Sequence, residues 1–194
     1  MDDETGDFVI VGERAALGTL RPEYAPQLSR WFNDPEIRRG LAHRGIVNAD
    51  AEGKWLEEVT EAARAPRPSA VQFAIHDSSD GALVGTCGLE SIDYSFGRCE
   101  FGIYVGDRRG QGIGTDATRL ALDWAFTMMG LHNVILEVFD WNARAVGAYE
   151  RAGFKQIGRR RGAVTTLGER HDVILMDAVA DDFESPVLRA LRPG

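Results

Sequence analysis

EFGIYVGDRRGQGIGTDATRLALDWAF, residues Glu100 to Phe126, decides how the rest of the chain reads. Its first third alternates as a β-strand does, with Phe101, Ile103 and Val105 on one side and Glu100, Gly102 and Tyr104 on the other. Its last third, extended to Met128, spaces Ala117, Leu120, Ala121, Trp124, Ala125 and Met128 as the apolar stripe of an amphipathic helix. Between them lies Arg109-Gly110-Gln111-Gly112-Ile113-Gly114-Thr115. The first N–H groups of a helix have no partner inside the helix and point at any anion placed there. Glycines let the backbone come close to that anion and accept positive φ. A strand feeding such a turn is a pyrophosphate site.

Whose phosphate it holds is a question of chemistry. No Lys followed by Ser or Thr comes after the last glycine, which excludes a P-loop. Gly112 to Ala117 fits G-x-G-x-x-A, the dinucleotide fingerprint, and Glu137 or Asp140 lies about where a ribose-binding acid belongs. That fold opens on this element, however, and here about a hundred residues precede it.

The 194 residues suit one domain, with a core over about 8–180 and a tail over 181–194. A composition of 44% hydrophobic and 27% charged residues is ordinary for a globular protein. No apolar run approaches the roughly 20 residues a membrane helix needs, and the acidic start Met1-Asp2-Asp3-Glu4 is unlike a secretory signal, so a cytoplasmic protein is expected. Cys87 and Cys99 stand apart and read as buried thiols. The net charge of −8 argues against a nucleic-acid surface and suits a cationic substrate. Histidines 43, 76, 132 and 171 have no ligand spacing, so no metal is expected.

Taken in order, two β-like runs (Phe8 to Val11, Ala15 to Leu20) follow a loose acidic start. Pro22 sits near a helix start, with Tyr24, Leu28, Trp31 and Phe32 as its stripe, and Asn33-Asp34-Pro35 ends it. A second helix from about Asp50 carries Trp55, Leu56, Val59, Ala62 and Ala63 up to Pro66. Such early helices can form a lip over a site. Ala70 to His76, Ala82 to Glu90 and Cys99 to Val105 form an antiparallel meander. Asn133 to Phe139 is a further strand, so a βαβ crossover spans Cys99 to Phe139. Asn142 caps a short helix bearing Ala145, Ala148, Tyr149 and Ala152, and Gly153 stops it. Lys155 to Ala163 and Arg170 to Val179 form a hairpin.

Two motifs now bear on the choice. Arg109 to Gly114 contains R-x-x-G-x-G, and Asn142 to Phe154 reads N-x-x-A-x-x-x-Y-E-R-x-G-F one strand later. Together they resemble the GCN5-related N-acetyltransferase (GNAT) superfamily. Trp31 to Glu36 and Glu169 to Met176 are similar to its branch of ribosomal-protein N-terminal and spermidine acetyltransferases, and Ala121 to Val138 is similar to the spermidine enzymes in particular. The resemblance covers roughly residues 8 to 180. It implies an α/β fold with a mixed, mostly antiparallel sheet splayed in the middle and helices on both faces. It also implies acetyl-CoA as co-substrate, an amine acceptor (a protein N-terminus, a polyamine or another small amine), and possible homodimers.

By that resemblance, main-chain groups of Ile103, Tyr104 and Val105 pair with the pantetheine arm as an added strand would. The N–H groups from Gly110 through Gln111, Gly112, Ile113 and Gly114 to Thr115 hold the pyrophosphate, with Arg109 adding charge and Asn142 steadying the arm. Acyl transfer then needs an amine that loses a proton and a proton for the leaving sulfur. Tyr149 is the expected proton donor, and Ala145 replaces a serine frequent in the family. Glu100, beside the thioester, is the expected base through water, with Glu90 as the alternative. A silent acyl-CoA-binding module and a dinucleotide-dependent oxidoreductase are the competing readings. Arg159-Arg160-Arg161 is either an exposed charged strand or a contact for the adenosine 3′-phosphate.

Overall fold

In strand Val71–Asp77 (β3), Phe73 and Ile75 bury on one side of the sheet and Ala74 on the other, so both faces are covered. The computed structural model describes residues 8–41 and 45–191. The acidic start before Phe8, His43 and the last three residues lie outside the described residues.

The other strands are Phe8–Val11 (β1), Ala15–Gly18 (β2), Leu83–Asp93 (β4), Arg98–Val105 (β5), Asn133–Phe139 (β6), Lys155–Thr166 (β7) and Glu169–Val179 (β8). They form one sheet in the order β1-β2-β3-β4-β5-β6-β8-β7. All neighbours are antiparallel except β5 and β6. The main core lies under helix Ile113–Asp123 (α4), with part of Ala143–Ala152 (α5) packed on it. Helices Ala25–Phe32 (α1) and Ala49–Ala62 (α3) cover the second face through Leu28 and Leu56, and the short Pro35–Arg38 (α2) follows α1.

The sheet is splayed at its centre. The parallel pairing joins only Arg98 to Asn133, Cys99 to Val134 and Glu100 to Ile135. Past that point β5 stays paired with β4 out to Val105, and β6 stays paired with β8 out to Phe139. Each strand therefore follows its own half-sheet, and a fork opens between Ile103–Val105 and the end of β6.

Two expectations change. The α4 stripe does not carry on to Met128, which is 51% exposed. The helix widens into a π-turn over Trp124–Met128, closed by the Met129 N–H on the Trp124 carbonyl, and the longer turn shifts the phase of the stripe. The segment after residue 180 is docked as far as it is described, and does not trail off as a tail. Asp123, fully buried, accepts the Val187 and Leu188 N–H groups at 3.0 and 2.9 Å. Leu188 enters the core, and Phe183 packs edge-on against Phe126. Cys87 and Cys99 are buried free thiols, and burial pushes Cys99 up to about 12.

Candidate active site

The glycine turn is built where β5 ends. Gly110 and Gly112 have φ of 92° and 86°, a region other residues avoid, and Gly112 is the residue before α4. A Cβ on Gly112 would lie 3.1 Å from the Arg14 side chain. Arg14 donates to the Gln111 carbonyl at 2.9 Å. Asp116, in the first turn of α4, accepts the Arg14 and Ala15 N–H groups at 2.7 and 2.9 Å. The β1–β2 turn thus braces the loop from behind.

Arg108, at φ 52°, is clamped by Asp77 at 2.6 Å and by Asp80 at 2.8 and 2.9 Å. The Ser79 hydroxyl, and then Arg108, hold the Asp77 carboxyl down to about 2. Arg109 makes only a looser 3.5 Å contact with Glu36 of α2.

A cleft of about 510 Å³ runs from this turn into the fork. Of the residues expected at the site, Ile103, Tyr104, Val105, Arg109, Gly110, Gly112, Gly114, Thr115, Asn142 and Tyr149 line it. Three do not. Ile113 is 3% exposed and belongs to the core; Gln111 gives its carbonyl to Arg14; Glu100 lies on exposed strand below the fork, between Glu90 and Ile135. The carboxylate on β6 that does line the cleft is Glu137, paired with Arg160 at 2.8 Å.

On α5, Asn142 accepts the Ala145 N–H at 3.2 Å as a helix cap. Tyr149 packs edge-on to Phe101 and Phe154. Its hydroxyl has no hydrogen-bond partner among the described residues, and burial pushes it up to about 12. It lines the cleft as a protonated phenol. Arg144 and Arg151 of the same helix also line the cleft without an ion pair among the described residues.

On the opposite face, Phe32 meets the Tyr104 ring edge-on, and a Cβ on Gly106 would overlap the Trp31 ring. Burial raises the Tyr104 hydroxyl far above its usual range, Thr86 eases it slightly, and the charge of Glu52 adds to it. Arg159 pairs with Asp172 and Arg160 with Glu137 on or beside the outer hairpin, and none of Arg159, Arg160 and Arg161 lines the cleft.

Sequence reading missed Arg14, Arg108, Asp77, Asp80 and Asp116. The Arg14 contacts join positions 102 and 97 residues apart and the Arg108 contacts positions 31 and 28 apart, and no local pattern carries either pairing.

A strand-to-helix glycine turn set in the middle of a mostly antiparallel sheet, beside a fork, is not the opening unit of a dinucleotide fold. Residues 14–155 match the family model described as the acetyltransferase (GNAT) domain, and the chain belongs to that family. It is similar to the spermidine N(1)-acetyltransferase of Escherichia coli, 30% identical over 143 residues, covering 69% of this chain and 76% of the relative. A putative ribosomal N-acetyltransferase of Bacillus subtilis, YdaF, is 26% identical over 165 residues, covering 78% and 90%. The fold is also that of the spermidine N-acetyltransferase from Vibrio cholerae, solved in complex with CoA and spermine. There the TM-score is 0.77 at 23% identity, with 88% of this chain and 98% of that one covered. The protein is an acetyl-CoA-dependent N-acetyltransferase acting on amines.

Proposed function

We propose that the acceptor is a small, positively charged primary amine, and that Tyr149 is the acid of the transfer. The observation that carries this reading is the meeting, at one fork, of an unpaired β5 edge, a positive-φ glycine turn and a protonated tyrosine. The fork fits a pantetheine-like arm, because Ile103 to Val105 have β4 on one side only. The turn fits the pyrophosphate, with Arg109, Arg144 and Arg151 supplying positive charge. Acetyl-CoA supplies the activated acetyl group as a thioester.

The N–C bond forms as the C–S bond breaks. Tyr149 gives its proton to the leaving sulfur and recovers one from solvent. The attacking nitrogen gives up its proton through water, with Glu100 as the proposed acceptor and Glu137, which lines the cleft, as its comparison. The acceptor approaches along the wall of Trp31, Phe32 and Tyr104, a surface suited to ammonium groups, and the net charge of −8 favours such an acceptor. The spermidine enzymes among the relatives support a polyamine. We place the enzyme in the cytoplasm, as a homodimer.

The test is thiol release from acetyl-CoA with spermidine, aminoglycosides and short peptides bearing free N-termini, run beside Tyr149→Phe. Turnover of spermidine above the peptides, falling steeply in the variant while acetyl-CoA still binds, is the expected result. Preferred turnover of peptides overturns the acceptor class, and an unchanged kcat in Tyr149→Phe overturns the acid.

A further inference from the structure

At Arg108 the chain leaves β5 for the glycine turn, in a conformation that residues with a side chain avoid. Up to that point it is fixed to β4: the Gly106 and Asp107 N–H groups both donate to the Val84 carbonyl, at 2.8 and 3.2 Å. At Arg108 φ is 52°, and its own N–H turns onto the Asp107 carboxylate at 2.7 Å. A Cβ makes this left-handed region costly, and glycine would enter it without strain. The long side chain kept at position 108 therefore has something to hold.

It holds the turn to another hairpin. The guanidinium reaches the β3–β4 turn, meeting Asp77 at 2.6 Å and both oxygens of Asp80 at 2.8 and 2.9 Å. Both acceptors are fixed in their turn. Asp77 accepts the Ser79 N–H and hydroxyl at 2.9 and 2.6 Å, and Asp80 accepts the Ala82 N–H at 3.1 Å. The same β3–β4 turn is tied to the β1–β2 turn, with the Ser78 hydroxyl on the Glu13 carbonyl at 2.9 Å and the Ser78 N–H on the Arg14 carbonyl at 3.2 Å. It thus reaches the glycine turn by two routes, directly at Arg108 and through Arg14 at Gln111. Arg108 lines the cleft, but a guanidinium facing two carboxylates brings no net positive charge to a phosphate.

We propose that Arg108 is a positioning residue: the Asp77–Arg108–Asp80 clamp holds the turn in its strained shape and so aims the N–H groups that follow at the pyrophosphate of acetyl-CoA. This rests on the reading of the glycine turn as the pyrophosphate site. The clamp acts on that end of the co-substrate and not on the thioester.

The test measures Kd and KM for acetyl-CoA, and KM for S-acetylpantetheine, which carries the thioester without the pyrophosphate. It compares wild type, Arg108→Ala, Arg108→Gly, Asp80→Asn and the Arg108→Gly, Asp80→Asn double variant, with Tm for each. Arg108→Ala keeps the Cβ and loses the clamp, and is expected to weaken acetyl-CoA binding about tenfold. Arg108→Gly takes the same φ without strain and is expected to recover most of that loss. Asp80→Asn is expected to weaken binding about threefold alone and to add nothing beside Arg108→Gly. KM for acetylpantetheine is expected to stay constant throughout, which a general loss of structure would not allow. Arg108→Gly as weak as Arg108→Ala, or Asp80→Asn tighter than wild type, makes the guanidinium a phosphate ligand and overturns the proposal. A folded Arg108→Ala that binds acetyl-CoA as wild type does, or a loss shared equally by acetylpantetheine, overturns it too. If Arg108→Ala does not fold, Asp80→Asn and the double variant decide. A wild type that gains nothing from acetyl-CoA over acetylpantetheine defeats the underlying reading of the turn, and the proposal with it.

Discussion

The two banks of the fork are built on opposite plans. Behind the glycine turn the bracing groups are tied down: Asp116 holds the β1–β2 backbone, Arg14 holds the Gln111 carbonyl, and Arg108 sits between two carboxylates. Across the fork, Glu52 has no hydrogen bond or ion pair among the described residues, Tyr104 carries a strongly raised hydroxyl, and Glu36 reaches Arg109 only at 3.5 Å. One bank is set before any ligand arrives. The other leaves polar groups for a ligand to complete. A site that receives the same partner in every turnover is served by rigidity, because ordering costs are met during folding.

This contrast breaks most sharply at Tyr149. Tyr149→Phe is expected to lower kcat by about 10²- to 10³-fold, with acetyl-CoA affinity unchanged, as single-turnover and binding measurements would show. If both fall together, the tyrosine belongs to the binding frame.

Asp123→Ala strips three donors of their buried acceptor and is expected to cost about 3 kcal/mol of stability in urea unfolding. A loss below about 1 kcal/mol would mean that the docked 180–191 segment contributes little. Asp116→Ala loosens the braced bank directly, and acetyl-CoA binding measured by calorimetry should weaken about tenfold.

On the open bank the sign reverses. Burial raises the Glu52 pKa in the folded state, so its penalty is absent below the ordinary carboxylate range and grows as pH rises through it. Glu52→Leu should therefore raise Tm by about 3 °C at pH 7 and leave it unchanged near pH 4. The smallest effect is expected at Glu100, where substitution by Gln should lower the rate about threefold at neutral pH and not at pH 10, if water carries the proton to it. Glu137→Gln, run beside it, tells which carboxylate takes that part.

The glycine turn and the Asn142–Tyr149 helix could be read from the chain because each is a local pattern: strand alternation, positive-φ glycines, a cap, and a face repeating every turn. The fork itself followed only from the family resemblance, since β5 and β6 look like any other buried strands. What brings Arg14 to Gln111, or Arg108 to Asp77, is sheet register across long separations, which has no local signature. The docking of Phe183 and Leu188 has no local signature, because the acidic Asp181-Asp182 ahead of them has the composition of a solvated end. The burial of Glu52 has no local signature either, since a carboxylate beside Trp55 and Leu56 is by default placed on the outside of its helix. At Glu100 the alternation was right, but its height relative to the fork depends on where the parallel ladder stops, three pairs in.

That short ladder has a mechanical side. The half-sheets β1–β5 and β6–β8 meet through three residue pairs, whereas the β4–β5 and β6–β8 seams are each seven pairs long. The sheet is thus two halves sewn along a partial seam over one shared core, with α4 as the covalent strap between them. Load on such a fabric concentrates at the end of the stitching, at Glu100 and Ile135. Amide exchange should run fastest just past that point, and anything that bridges the fork would act as the missing stitches.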